Sequence, residues 1–342
     1  MPSDLVLITG VTGHVGFRVL VDALKLGYNV RAAVRDSSKE EAILNAKSVK
    51  DLNPGHRLSF FVVPDLTAAR AYDEAVKDVQ YIIHIASPPP EESDDYENAI
   101  IAPAVNGTVG MLQSAHKTPG IKRVVITGSV ASITPTMDIL GGNDKLIIDE
   151  NTNAEALSPP FANFFVAYSS AKITAYKATQ DFIARENPAF DVVTVIPSFI
   201  LGKNELVTDP ERITVGSNGH LFTQILGQDT FPLVGHTVHV DDVARVHVSA
   251  LDPKIPGNAS YIVSSGGLDG IVWADALKIV AENYPKAVAA GTLPNNGSRA
   301  TLPFKLDARK AEEVFGIEFI GFEDQVKSVT EHYLELVGAK VA

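Results

Sequence analysis

The apolar residues of this chain fall into short, nearly unbroken runs. Between the runs lie longer stretches in which apolar and polar positions alternate with a helical period. The runs are LVLIT (5–9), VRAAV (30–34), LSFFVV (58–63), VQYIIHIA (79–86), RVVITG (123–128) and VVTVIP (192–197). They are rich in β-branched residues, and continuous hydrophobicity predicts strands covered on both faces. Residues 14–26 set Val15, Val19, Ala23 and Leu26 on one stripe, and 38–50, 67–77, 95–116 and 165–186 have similar spacing. Strand–helix–strand alternation of this kind predicts right-handed crossovers and a doubly wound parallel α/β sheet with helices on both faces.

The rhythm changes after about residue 197. Residues 198–236 are rich in glycine and proline breaks, and PPPEES (88–93) reads as a stiff loop directly after the fourth strand. A helix is expected from Asp241, an acidic cap before VARVHVSAL. A strand at 261–265 and helices near 273–283, 306–314 and 322–337 follow. The expected organisation is a dinucleotide-binding domain over 1–197 and a smaller, mainly substrate-binding lobe over 198–342. Segments near 238–252 are expected to return to the main domain.

Composition narrows the function classes. The chain has 342 residues, 45% apolar and 20% charged, with a net charge of −12. That balance fits a globular protein and argues against nucleic acid or an anionic membrane surface as a partner. No cysteine is present, which removes disulfides and thiolate metal sites and suits a reducing, cytoplasmic location. MPSDLVLITG reads as a first strand and not as a leader, and no apolar run reaches membrane-spanning length. His236 and His239 are three apart, but no third ligand is near, so structural or loop histidines are expected and no metal.

The stretch ITGVTGHVGF (8–17) places Gly10, Gly13 and Gly16 three apart, after a strand and at the opening of a helix. The spacing is not G-x-G-x-x-G, but the physics is shared. Glycine permits the tight turn and lets backbone N–H groups approach a pyrophosphate at a helix N-terminus. Gly10, Thr12, Gly13, His14, Val15 and Gly16 are therefore expected to contact a dinucleotide. Arg35 stands at the end of the second strand and Lys39 follows four residues on. Two cations suit a 2′-phosphate and favour NADPH over NADH, although Asp36 is also placed to accept from a ribose.

In FVAYSSAKI (165–173), Tyr168 and Lys172 are four apart and share one face of a helix. With TGVTGHVG (9–16), Asp65–Leu66, TGS (127–129), IPSFILG (196–202) and HVDDVA (239–244), in this order, the chain resembles the extended short-chain dehydrogenase/reductase family. VRAAVRD, HIASPP and PAVNGT (103–108) look most like its dihydroflavonol-reductase and cinnamoyl-CoA-reductase group, together with yeast and fungal aldehyde and ketone reductases. The resemblance covers essentially the whole chain and implies a Rossmann-type domain that reduces an aldehyde or ketone.

The same resemblance implies roles by position. Asp65 and Leu66 would lie against adenine, Ala86 and Ser87 would flank the cofactor, and Pro197 and Ser198 would line the nicotinamide. Ser129 would orient the substrate carbonyl, with Ser132 a nearby competitor. Tyr168 would donate the proton and Lys172 would hold the ribose. Hydride transfer leaves negative charge on oxygen, which a phenol can stabilise and protonate. A nearby ammonium favours release of that proton, so Lys172 would also tune the donor. The segments 88–94, 130–166 and 198–234 are expected to build the substrate pocket, with Pro88, Val130, Phe165 and Phe199 in its wall. Phe161, Phe164 and Phe165 fit either core or pocket.

Two alternatives remain. One is a nucleotide-sugar epimerase or dehydratase, against which VASITP after Ser129 lacks the Tyr-Gly or Asp-Glu pair of such enzymes. The other is a dinucleotide-sensing regulator without chemistry, against which the tyrosine–lysine pair is retained. The substrate is expected to be a small carbonyl compound, and the chain a monomer or homodimer.

Overall fold

A computed structural model of the chain describes residues 4–88 and 92–339. The loop expected over 88–93 lies in part outside the described residues. The chain divides into two compact units, one formed by residues up to Thr136, Glu150–Ile196 and Ala244–Tyr261. The other comprises Met137–Asp149, Pro197–Val243 and the chain from Ile262 onward.

Among the described residues, seven strands form one sheet. They are β1 (Leu5–Thr9), β2 (Asn29–Val34), β3 (Leu58–Val62), β4 (Tyr81–His84), β5 (Arg123–Thr127), β6 (Asp191–Pro197) and β7 (Ala259–Val263). Their order is β7-β6-β5-β4-β1-β2-β3, and every pairing from β6 through β3 is parallel. This is the doubly wound Rossmann-like α/β fold. β1 is followed by its neighbour β2 on one side and flanked by β4 on the other. The order in which strands are added therefore reverses between β1 and β4, the point at which such sheets open a ligand crevice.

Three helices frame that crevice: α1 (His14–Lys25), α2 (Ala102–His116) and α3 (Phe164–Glu186). In α1 the buried face is Phe17, Val19, Leu20, Val21, Ala23 and Leu24, while Leu26 lies past the helix end and is exposed. α2 is preceded by a π-helical turn over Glu97–Ile101. The core under the sheet gathers Leu7, Tyr72, Val76, Ile82, Met111 and Val124.

Two expected helices differ. Residues 67–77 fold as successive turns, because Arg70 and Asp78 adopt left-handed backbone (φ 64° and 63°) and Asp65 ties Thr67 into a local turn. The amphipathic pattern there is real, since Tyr72, Ala75, Val76 and Val79 are buried, but turns deliver it. Residues 38–50 split into a 3₁₀ turn (Ser37–Lys39) and two short helices, Glu40–Asn45 and Lys47–Leu52. The extended backbone of Ala46 separates the two (ψ 136°). The helix expected from Asp241 begins at Val240, so Asp241 is a first-turn residue and not its cap.

In the second unit Trp273 is fully buried among Leu201, Phe222, Ile225 and Val280. Three two-stranded pairs supplement it: 199–201 with 237–239, 229–234 with 298–302, and 147–148 with 305–306. The strand and helices expected after residue 260 form, at Ala259–Val263, Asp275–Asn283, Arg309–Phe315 and Phe322–Leu336.

Within the first unit one buried cation ties distant segments together. Arg123, 4% exposed, donates to the carbonyls of Ala250 (2.7 Å), Asp252 (2.8 Å) and Ile255 (2.9 Å) and to Asp191 Oδ2 (3.0 Å). Replacing it strands the buried Ala250 carbonyl and removes the donor from three part-buried acceptors. Arg123→Met is expected to lower unfolding free energy by about 3 kcal/mol in urea denaturation. An unchanged transition would show that the guanidinium is dispensable.

Candidate active site

The glycine turn leaves the C-terminal end of β1 and opens directly into α1. Gly10 has φ +76°, and a Cβ there would lie 2.8 Å from the Ala86 amide nitrogen. At Gly16 a Cβ would sit 2.0 Å from the Gly10 carbonyl oxygen. The fold itself therefore demands glycine at both positions. Gly13 is different: a Cβ would meet only the Gly10 carbonyl oxygen, at 3.4 Å, and the residue is exposed. Its missing side chain leaves open a cradle on the solvent side. Gly13 caps α1 with no side-chain hydrogen bond, and the first turn carries no acidic residue. A free helix N-terminus beside an open glycine backbone fits a pyrophosphate. Thr12 is exposed, and His14 and Val15, half-buried, begin the helix.

At the end of β2, Arg35 and Lys39 are both exposed. Asp36 caps the following 3₁₀ turn: its Oδ1 accepts from the Ser38 amide at 3.0 Å and from the Ser38 hydroxyl. The Ser38 hydroxyl, then its amide, Lys39 and Arg35 hold the Asp36 carboxyl below the usual range. Asp65 is likewise committed, its Oδ1 taking the Thr67 amide (2.8 Å) and hydroxyl (2.7 Å). Leu66 lies against Gly107, where a Cβ would stand 2.8 Å from Leu66 Cδ1.

Ser129 follows β5 and caps a 3₁₀ turn over Val130–Ser132, its Oγ accepting from the Ala131 amide at 3.2 Å. Its hydroxyl proton stays available to a carbonyl oxygen. Ser132 is 2% exposed and donates its own proton to the Ser129 carbonyl at 2.5 Å. Of the two serines, Ser129 keeps a free donor. Val130, half-buried, begins the same turn.

α3 starts at an Asn163 cap, whose side chain accepts from the Val166 amide at 3.1 Å. One turn on, Tyr168 is half-buried, and the Lys172 Nζ stands 5.5 Å from its ring centroid. Ser169, Ser170 and Ala171 between them are buried, and α3 packs on α2 and on the turn after Ser129. Ala167 and Ala171 pack on Ile100 and Ile101, and the Ser170 hydroxyl accepts from the Leu157 amide at 3.1 Å.

A cleft of about 220 Å³ opens beside the pair, lined by Ser87, Pro88, Ala99, Ile100, Tyr168 and Lys172. Its wall is mostly apolar. Phe164 stacks on Tyr168 (centroids 6.3 Å apart, planes 17° apart), and Phe161 meets Tyr96 edge-on at 6.4 Å. Both belong to the small cluster of Ile100, Ala167 and Ala171, whereas Phe165 does not enter it.

The second unit holds the remaining expected residues. Pro197 ends β6, and Ser198 donates its amide to the Val263 carbonyl at 3.1 Å. Phe199 stands edge-on to His220 (5.0 Å) and Trp273 (6.0 Å). His236 is buried with its Nε2 2.9 Å from the Phe304 carbonyl, and burial depresses its pKa. No group of three metal-ligating side chains occurs among the described residues. None of their helices is long and apolar enough to cross a membrane.

Sequence reasoning missed Thr9 and His84, a buried polar pair at the ends of β1 and β4. A histidine closing the otherwise apolar YIIH was the available signal. It also missed the Thr127–His247 contact, 2.7 Å from Oγ1 to Nε2.

A doubly wound sheet with a glycine turn at β1 and an open α1 N-terminus defines a dinucleotide-binding α/β protein. Comparison narrows this: the profile of the NAD dependent epimerase/dehydratase family matches residues 6–263, and the chain belongs to that family. It is 37% identical to ketoreductase CTB6 of Cercospora nicotianae, over 98% of this chain and 96% of that protein. It is 35% identical to the NAD-dependent epimerase/dehydratase ALT6 of Alternaria alternata, over 95% and 96%. Among solved structures, Gre2 of Candida albicans in complex with NADPH is similar at TM-score 0.82 and 25% identity, covering 97% of this chain and 99% of that one.

The glycines separate two demands. Gly16→Ala is expected to lower the melting temperature of the cofactor-free protein sharply. Gly13→Ala should melt within about 2 °C of wild type yet bind NADPH at least about tenfold more weakly by fluorescence titration. Equal affinity in Gly13→Ala would remove the turn from the binding site.

Proposed function

We propose that this chain is an NADPH-dependent reductase that converts an aldehyde or ketone to an alcohol. The observation that carries this is the Tyr168–Lys172 pair in the wall of a largely apolar cleft, with the ammonium 5.5 Å from the phenol ring. When bound, the reduced nicotinamide supplies the hydride.

The chain's own residues do the rest. Gly13 and the α1 N-terminus receive the pyrophosphate. Arg35 and Lys39 receive the 2′-phosphate, and Asp36, occupied by Ser38, competes less for a ribose. The free Ser129 proton binds the substrate carbonyl oxygen and orients it. Tyr168 donates its proton to that oxygen as negative charge develops there. Lys172 holds the ribose. The apolar side of the cleft excludes water and receives the substituent next to the carbonyl.

Pro197, Ser198 and Phe199 enter this reading through the family pattern alone, as does the substrate-binding role of 198–342. A cytoplasmic address belongs to the same proposal and rests on the cysteine-free composition.

The test is loss of reduced-cofactor absorbance with a panel of aldehydes, β-ketoesters and aromatic ketones. Tyr168→Phe is expected to bind NADPH normally and lose at least about 10²-fold in turnover. A rate near wild type would show that the proton comes from elsewhere. Arg35→Ala should weaken NADPH by about tenfold or more and leave NADH within about twofold. Equal losses on both cofactors would contradict the phosphate contact.

A further inference from the structure

Thr9 and His84 face each other in register across β1 and β4, 1% and 2% exposed. The three pairs before them, Val6–Tyr81, Leu7–Ile82 and Ile8–Ile83, are apolar or nearly so. Burying a polar pair at the end of such a ladder costs free energy unless every group is hydrogen-bonded. The Thr9 hydroxyl and His84 Nδ1 are satisfied in one way.

Thr9 Oγ1 lies 3.1 Å from the Ile85 amide, 3.0 Å from the Ala86 amide and 2.9 Å from His84 Nδ1. A hydroxyl has two lone pairs and one proton. The two amides donate to the lone pairs, so the proton goes to Nδ1. Nδ1 is therefore the bare nitrogen, and the ring proton sits on Nε2. A doubly protonated ring would aim a third donor at an oxygen with no lone pair left. Burial, and after it the charge of Lys172, keep the imidazole neutral by lowering its pKa to about 4. The ring meets Tyr72 edge-on at 5.6 Å, and its Nε2 faces the Gly107 carbonyl without closing a hydrogen bond to it. The same ring lines a small cavity of about 40 Å³ together with Ser87, Thr127 and Lys172.

Ile85 and Ala86 lie beyond the last residue of β4, where the ladder with β1 ends. Their amides are held by a side chain, so the chain can turn away toward Ser87 and Pro88 while staying pinned to β1. The next residue after Thr9 is Gly10, whose backbone passes so close to Ala86 that no Cβ fits. We propose that Thr9 and His84 form a latch at the floor of the crevice and act as positioning residues. By this account Thr9 sets the distance between the glycine turn and the Ala86–Ser87 wall, and His84 fixes the direction of the Thr9 hydroxyl. The proposal rests on the dinucleotide reading of this crevice, and not on which substrate is reduced.

The test compares Thr9→Ser, which keeps the hydroxyl, with Thr9→Val, which keeps the shape. The dissociation constant for NADPH is measured by fluorescence on the full chain. Thr9→Ser is expected within about threefold of wild type, and Thr9→Val weaker by about tenfold or more, with turnover at saturating NADPH reduced less than about threefold. Nitrogen-15 spectra of the cofactor-free protein, assigned with His84→Asn, should show His84 protonated at Nε2 at neutral pH. Equal affinities in Thr9→Val and wild type, or an Nδ1-protonated His84, would overturn the latch, the second even if Thr9→Val failed to fold. A chain that reduced no carbonyl yet kept the Ser–Val contrast would overturn the reductase reading and leave the latch supported. A wild-type chain that did not bind NADPH would overturn both.

Discussion

At the C-terminal ends of β1 and β4 two backbones pass so close that one methyl group would not fit between them. A Cβ on Gly10 would approach the Ala86 nitrogen to 2.8 Å, and one on Gly16 would approach the Gly10 oxygen to 2.0 Å. The two strands are parallel neighbours, and the order of strand addition reverses between them. The turn is forced back on itself and delivers the N-terminus of α1, uncapped by any side chain, to the mouth of the crevice. Such a backbone fits an anion without a charged side chain.

The reactive side of the crevice is built by packing of the opposite kind. α3 lies against α2 and the turn after Ser129, with its Ala167 and Ala171 packed on Ile100 and Ile101. That contact fixes the rotation of α3. Tyr168 and Lys172, four apart, are then carried together to the cleft side, where Phe164 stacks on the phenol. Ser132 is consumed by the Ser129 carbonyl, which leaves Ser129 as the serine with a free proton.

Much of the fold was legible because a parallel sheet covered on both faces writes itself as unbroken β-branched runs. LVLIT and RVVIT became β1 and β5 with bounds unchanged apart from a final glycine. The pattern misled at 67–77, where turns bury the same side chains a helix would bury, and at Leu26, which continues a stripe beyond its helix. Periodicity reports which residues are buried and says less about the backbone that buries them. The pairs 199–201 with 237–239 and 147–148 with 305–306 were invisible, since two or three residues carry no period. That Tyr168 and Lys172 share a helix face, and that a glycine turn follows β1, were legible as spacing. Thr9 and His84 were not, because their partnership depends on register between strands 75 residues apart.

The account holds that a hydride passes from NADPH to a carbonyl carbon. The most direct measurement uses NADPH deuterated at the transferring position of the nicotinamide, with mass spectrometry of the alcohol formed from an accepted carbonyl probe. The account predicts one deuterium on the carbinol carbon of every product molecule, none on that carbon when the label is in the water instead, and matching loss of the reduced cofactor. Alcohol without cofactor-derived deuterium, or a product isomerised or dehydrated with no net consumption of NADPH, would contradict it and turn the same residues toward epimerase or dehydratase chemistry.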